Sequence, residues 1–435
     1  ECRSQLKLLL LPMSLAMSRI TNFFKMTKDE FRFTLARNAV LRRTFLNFLD
    51  GMAQFGIRIP QPAGAPLFVI VSVTQQCNLR CSHCYNEEYV DDSSHQSMDA
   101  NTVRHVINQM SDAGCLGIGF NGGEPTLRSD LCDLISYAAS KDIIPLIGTN
   151  GILINKDYAR SLRESGLLYA QVSLDGTADT HDSIRGVKGT YEKTLDGIRN
   201  LVDEGIYVSV AMVATKKNWK EVPHVLEVAK SYGASKFEIL DFQNLGRAKE
   251  DSELELDPLE RDALAEDLCM RWREIIKSGD RISLLYKNPS FVRSMHKIFP
   301  HVETVPFLGV AYPKEAKKRF TYSQRLKDGI FSVQDPFSPI ATCCEAGLYG
   351  FFIDVDGTMT PCPYMPLSVG NINENSLHQI WYNSPVLNAL RDRNNLGKSC
   401  AGCNFRDTCA GCRARAYNLT GDYMASDPLC SRVSL

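Results

Sequence analysis

The chain has 435 residues and a mass of 48.6 kDa, long enough for two or three domains with substantial cores. Its 44% hydrophobic, 23% charged and 9% aromatic residues exclude disordered, collagenous and coiled-coil classes. A formal charge of −1 gives no general basic excess, so no nucleic-acid partner is expected.

The charge is uneven: residues 1–66 carry a net +6, leaving −7 for the remainder. The apolar run from Leu8 to Met17 is too short for a membrane span and is broken by Pro12. A secretory leader is the weaker reading of it. Over residues 28–52, Phe31, Leu35, Val40, Leu41, Phe45, Leu46 and Leu49 recur near helical spacing among Arg32, Arg37, Arg42 and Arg43. This predicts a basic amphipathic helix, docked on its own chain in preference to a peripheral contact with a membrane. Pro60, Pro62 and Pro66 mark a linker that closes an arm of residues 1–66.

Apolar runs then alternate with helical patterns. Strands are expected at 68–74, 117–120, 143–148, 169–174, 207–214 and 236–241, with helices such as 101–113 and 191–204 between them. Six such units predict an α/β fold with a parallel sheet, a partial (β/α)6 TIM-like barrel over residues 67–248. Chemistry in such barrels gathers at the carboxyl ends of the strands. Residues 249–342 read as a bridging segment that is acidic at first and poorly patterned later. Residues 343–435 hold eight of the fifteen cysteines and many glycines and prolines, a loop-rich composition ordered by metal. The odd cysteine count and its bunching argue for metal binding in a reducing compartment, the cytoplasm, over a disulfide framework.

The first strand leads into Cys77-Asn78-Leu79-Arg80-Cys81-Ser82-His83-Cys84. Three thiolates suit an iron–sulfur cluster with one iron left for substrate, or a zinc ion with His83 as fourth ligand. Gly122-Gly123-Glu124-Pro125 follows the second strand, and Gly148-Thr149-Asn150-Gly151 ends the third. The fourth strand ends in Ser173-Leu174-Asp175-Gly176, with Arg185-Gly186 beyond it. Each short motif alone reads as a turn.

Together, in this order at strand ends, they resemble the radical S-adenosylmethionine (SAM) enzymes. The resemblance implies a [4Fe-4S] cluster on Cys77, Cys81 and Cys84, the catalytic triad of thiols. The open iron would chelate the amino and carboxylate groups of SAM. Gly122, Gly123, Glu124 and Pro125 would face the methionine part, with Glu124 accepting from its ammonium. Ser173, Asp175 and Asn150 would lie on the ribose side, Arg185 on the methionine carboxylate, and His83 and Tyr85 against the cluster and adenine. One electron would cleave the C–S bond and release a 5′-deoxyadenosyl radical that abstracts a substrate hydrogen.

The later thiols, Cys344, Cys362, Cys400, Cys403, Cys409, Cys412 and Cys430, resemble the SPASM extension, which binds two auxiliary clusters. The resemblance puts Cys400, Cys403, Cys409 and Cys430 on the outer cluster. It puts Cys344, Cys362 and Cys412 on an inner cluster of two or four irons, with Cys343 as the candidate fourth ligand. A zinc ribbon on Cys400, Cys403, Cys409 and Cys412 is the alternative. Cys2, Cys115, Cys132 and Cys269 fall outside both patterns and read as ordinary thiols.

The expected function is oxidative maturation of a ribosomal peptide or cofactor precursor, with electrons from a donor such as ferredoxin or flavodoxin. Modification of a tetrapyrrole side chain is the nearest alternative, then lipid modification at a membrane, then a non-catalytic iron–sulfur or zinc scaffold. Pro363 and Tyr364 follow Cys362 where sulfatase-maturing relatives carry a carboxylate, which argues against that activity.

Overall fold

The computed structural model describes residues 39–86, 97–249, 252–315 and 341–433. The apolar run at 8–17 and the first part of the basic helix lie outside the described residues. The rest of that helix is α1 (Ala39–Phe55), and it is docked on its own chain. Asn47 is buried and fixes it: the side-chain amide donates to the Gly114 carbonyl at 3.2 Å and its oxygen accepts from the Ala65 N–H at 2.9 Å. Arg43 adds a bond to the Asp142 carbonyl at 2.8 Å. No described helix is long and apolar enough to cross a membrane.

All six expected strands form. They are β1 (Phe68–Ser72), β2 (Gly117–Asn121), β3 (Ile144–Thr149), β4 (Tyr169–Ser173), β5 (Tyr207–Ala214) and β6 (Lys236–Asp241). Each pairs in parallel with the next, which crossover connections through helices allow. The crossover α2 (Ala100–Ala113) shows how the sequence builds one. Asp99 caps its start by accepting from the N–H groups of Asn101 and Thr102, and Gly114 ends it at φ 81°. Between them Val103, Val106, Ile107 and Met110 form the buried stripe.

The sheet is wider than expected. The bridging segment supplies β7 (Ser283–Lys287), parallel to β6. The cysteine-rich segment supplies β11 (Gly350–Ile353), which joins the free side of β1 in parallel and carries the antiparallel β12 (Thr358–Thr360) and β13 (Gly370–Asn371). The complete order is β13-β12-β11-β1-β2-β3-β4-β5-β6-β7, while β8 (Val302–Val305), β9 (Val310–Pro313) and β10 (Ala341–Thr342) form a separate antiparallel sheet. One continuous core therefore runs from the barrel strands into Phe351, Ile353, Met359 and Trp381.

Two bridging helices matter to the site. These are α8 (Pro258–Ser278), opened by a capping box of Asp257 and Glu260, and α9 (Phe291–Ile298). The last, α12 (Arg413–Thr420), starts at Cys412 and follows α10 (Leu377–Asn383) and α11 (Pro385–Leu390).

Candidate active site and cluster-binding loops

The three-thiol loop leaves β1 at its carboxyl end and is clamped from three sides. From the β2 end, the N–H groups of Gly123 and Glu124 donate to the carbonyls of Thr74 and Gln76, both at 2.7 Å. A Cβ on Gly122, at φ 147°, would stand 2.3 Å from the Thr74 oxygen, and one on Gly123 2.1 Å from the Gln76 oxygen. The two glycines are therefore needed for backbone to meet backbone. From the β4 side, the Arg185 and Ile184 carbonyls accept from the N–H groups of Arg80 and Ser82 at 3.1 and 2.9 Å. Beyond β6, the Arg247 N–H donates to the Cys84 carbonyl at 3.1 Å.

Glu124 is buried and both its oxygens are taken. One accepts from the Thr126 N–H at 3.1 Å, the Thr126 hydroxyl at 2.6 Å and the Thr149 hydroxyl at 2.7 Å; the other accepts from the Asn150 N–H at 2.7 Å. These bonds tie the β2 end to the β3 end, and the oxygen facing Asn150 keeps acceptor capacity for a further donor. Pro125 begins a buried turn of 3-10 helix behind it. Asn150 is engaged in the same tie, its side-chain amide donating to the Asn78 side-chain oxygen at 2.7 Å.

Asp175 and Arg185 face each other. The guanidinium lies 2.6 Å from the Asp175 carboxylate, both groups are buried, and its other arm reaches Cys81 Sγ at 3.5 Å. Burial would raise the Asp175 carboxyl; Arg185 and His83 outweigh it and hold it below the ordinary range. The same carboxylate lies 3.7 Å from His83 Nε2. Burial lowers the His83 ring to about 4, so it is neutral near pH 7. Ser173 ends β4, half-buried and in register with Ala211 of β5.

Burial pushes the Cys77 thiol up to about 12 and raises Cys84 as well. Such thiols ionise when a metal takes the proton's place. The surroundings fit a polar bound group, because His83 Nδ1 and Arg185 Nε are buried beside these thiols without a hydrogen-bond partner.

The carboxyl-terminal thiols fall into two groups. Cys400, Cys403, Cys409 and Cys430 line one cavity, with Arg293 and Arg432 on its wall. Cys344, Cys362 and Cys412 are electrostatic neighbours of one another. The foursome needed for a zinc ribbon is therefore split, with Cys412 on the far group. Among the described residues no three His, Cys, Asp or Glu side chains are placed to share one metal ion.

Cys343, the candidate fourth inner ligand, is an electrostatic neighbour of Cys344. It is buried where a Cβ on Gly309 would lie 2.4 Å from its sulfur, and Arg393 is its nearest guanidinium at 3.9 Å. Cys115, Cys132 and Cys269 are free thiols away from both groups.

Tyr85 and Tyr364 stack edge to face at 5.1 Å, joining the first loop to the segment after Cys362. No motif links the two. Of the arginines at the outer thiols, Arg413 beside Cys412 and Arg432 beside Cys430 are near a thiol in the sequence, whereas Arg293 is not.

A β/α partial barrel with a three-thiol loop at its first strand end, extended by two further thiol groups, defines an iron–sulfur enzyme of the radical-generating type. The chain matches the Radical SAM superfamily over residues 71–229 and the SPASM iron–sulfur cluster-binding domain over residues 343–404. It is a radical SAM enzyme with a carboxyl-terminal SPASM domain.

The AdoMet-dependent heme synthase of Methanosarcina barkeri is 29% identical over 370 residues, covering 84% of this chain and 96% of the relative. The Fe-coproporphyrin III synthase of the same organism is 29% identical over 371 residues, 83% of this chain and 87% of that one. Among solved structures, Streptococcus suis SuiB bound to its precursor peptide SuiA superposes with a TM-score of 0.65 at 17% identity, over 85% of this chain and 77% of that one.

Proposed function

We propose that the enzyme oxidises a cofactor precursor of the tetrapyrrole type at an unactivated C–H bond. The carrying observation is the pair of thiol groups beyond the SAM-cleaving loop, joined to it through Tyr85 and Tyr364. Cys77, Cys81 and Cys84 would hold a cluster and SAM, which would supply radical hydrogen-atom abstraction. The protein's own part is to fix the loop through Gly122, Gly123 and Arg185, to keep His83 neutral, and to exclude water. Net oxidation would require the substrate to lose a further electron, and clusters held by Cys344, Cys362 and Cys412 and by Cys400, Cys403, Cys409 and Cys430 would supply one-electron acceptors for it.

The two similarities to heme-type synthases at 29% identity favour a tetrapyrrole over a peptide. The peptide reading is supported by lower similarities, 23–24% identity to PqqA peptide cyclases and 17% to SuiB. A reducing compartment, the cytoplasm, agrees with fourteen described cysteines that are all free. A small electron-transfer protein such as ferredoxin or flavodoxin would supply the initiating electron. Membrane contact would have to come from the arm before α1.

The test is 5′-deoxyadenosine formation by anaerobically reconstituted protein with SAM and dithionite, with iron-coproporphyrin III or a peptide panel as substrate. Product stimulated by the porphyrin and lost in C77A/C81A/C84A is the expected result. Stimulation by a peptide alone would overturn the tetrapyrrole assignment, and no product from cluster-loaded protein with any substrate would overturn catalysis.

A further inference from the structure

Every sulfur of the outer thiol group receives a hydrogen-bond donor, and three of the four donors are guanidiniums from different parts of the chain. Arg293 of α9 places Nη1 3.5 Å from Cys430 Sγ. Arg413, opening α12, places Nη2 3.9 Å from Cys400 Sγ. Arg432 places Nη1 4.0 Å from Cys403 Sγ. The fourth sulfur, on Cys409, accepts from the Gly411 N–H at 3.3 Å.

Each cation is held in place. Arg293 is paired with Asp262 at 2.7 Å and donates to the Ser431 hydroxyl at 3.1 Å. Arg413 is buried and donates to the carbonyls of Tyr423 and Ala425 at 3.0 and 2.6 Å. Arg432 lies over the Phe405 ring, 5.3 Å from its centre. The nearby carboxylates have partners of their own: Asp262 pairs with Arg293, Asp407 with Arg406, and Asp427 gives its oxygens to Arg415 and the Cys412 N–H.

The other thiol groups are built differently. Cys412 accepts from a backbone N–H, that of Arg415 at 3.4 Å, while the Arg415 guanidinium is shared between Asp241 and Asp427. At the SAM-cleaving loop a single guanidinium reaches a thiol, Cys81, and it is paired with Asp175 as Arg293 is with Asp262; the outer group has two guanidiniums more, Arg413 and Arg432. Reducing an iron–sulfur cluster adds one negative charge, and cations and N–H groups on its sulfurs stabilise that state.

We propose that Arg293, Arg413 and Arg432 form a guanidinium collar that raises the reduction potential of the outer cluster above that of the inner one, making it the terminal electron-holding site of the chain. The inference rests on the assignment of Cys400, Cys403, Cys409 and Cys430 as cluster ligands, and its arginines act on potential, not on ligation.

The experiment is an anaerobic redox titration of the reconstituted full chain followed by electron paramagnetic resonance. The outer couple is identified as the signal lost in C400A/C403A. It is expected to be the higher of the two auxiliary couples in the native protein. Arg293→Gln should shift its reduction equilibrium about tenfold towards the oxidised form, 59 mV for one electron. Arg293→Lys should retain most of the native value, and the inner couple should not move. Arg432→Gln, at an exposed residue, gives the same reading if Arg293→Gln assembles poorly. An outer couple unmoved in both Gln variants at native iron content, or lying below the inner couple in the native chain, overturns the proposal while leaving the ligand assignment standing. A native protein with no signal dependent on Cys400 and Cys403 overturns both.

Discussion

Asp175 carries a larger electrostatic load than its place in a strand-end motif suggests. Its carboxylate accepts from the Val213 N–H at 3.1 Å, pairs with Arg185 at 2.6 Å and faces His83 at 3.7 Å, with no exposed surface of its own. Asp175→Asn leaves the buried Arg185 beside Cys81 without its counter-ion. Breaking such a pair costs about 3–5 kcal/mol, because the remaining charge is still desolvated. The expected result is a drop of that size in unfolding free energy by urea titration, accompanied by loss of cluster from the first loop. A variant within about 0.5 kcal/mol of native would show that water or another group already shares the Arg185 charge. The motif identified Asp175 and Arg185 as site residues. Their mutual pairing depends on where the Asp175 loop and the carboxyl end of α5 (Ala178–Arg185) meet in space, and ten residues of separation do not specify that.

At the scale of elements, the strand ends act through backbone contacts, which sequence identity reveals only indirectly. Gly123→Ala puts a methyl carbon where the Gln76 carbonyl lies at 2.1 Å, so the loop bearing Cys77 must move. Iron and sulfide analysis should show loss of the SAM-cleaving cluster with the auxiliary iron retained. Full loading at all sites would mean that the loop adapts at little cost. The barrel interior gives a second, pH-dependent expectation. Glu238 of β6 is buried; the Gln171 amide donates to it at 2.9 Å and Lys236 pairs with it at 3.5 Å. Burial would raise its carboxyl, but Lys236 and Lys287 outweigh that and hold it below the ordinary range. A depressed folded pKa means stability present above the unfolded value of about 4.3 and lost as pH falls through the folded one. Urea titrations between about pH 6 and 3 should therefore show a shallower acid decline for Glu238→Gln than for the native chain. Parallel curves would remove Glu238 as a source of that decline. The six regular strands were legible because apolar runs alternate with helical stripes. β7 and β11 were not: Ser283-Leu284-Leu285-Tyr286-Lys287 and Gly350-Phe351-Phe352-Ile353 are short runs inside poorly patterned and loop-rich stretches, and only pairing with β6 and β1 makes them strands.

Across the whole molecule, the barrel, the bridging helix and the cysteine-rich segment meet in one buried ionic network. Asp241 at the end of β6 receives Arg261 of α8 at 2.6 Å, Arg415 of α12 at 2.7 Å and the Tyr286 hydroxyl of β7 at 2.6 Å. Arg415 also clasps Asp427 with two bonds of 2.7 Å, and Asp427 in turn accepts from the Cys412 N–H at 2.8 Å. The position of the inner thiols relative to the barrel therefore depends on a chain of charges that no local pattern could disclose, since its members span residues 241 to 427. Arg415→Met leaves Asp241 with Arg261 and Tyr286, but strips Asp427 of its only bidentate partner. A loss of about 3–5 kcal/mol follows from the uncompensated carboxylate. Arg415→Met/Asp427→Leu should recover part of it, because removing both charges ends the desolvation cost. Denaturation followed by intrinsic fluorescence and by the cluster absorbance distinguishes two origins. If both signals shift together and the double variant recovers, the network is the link between barrel and cluster segment. If Arg415→Met unfolds at the native midpoint, the shared apolar core through Phe351, Met359 and Trp381 holds the segments together without it.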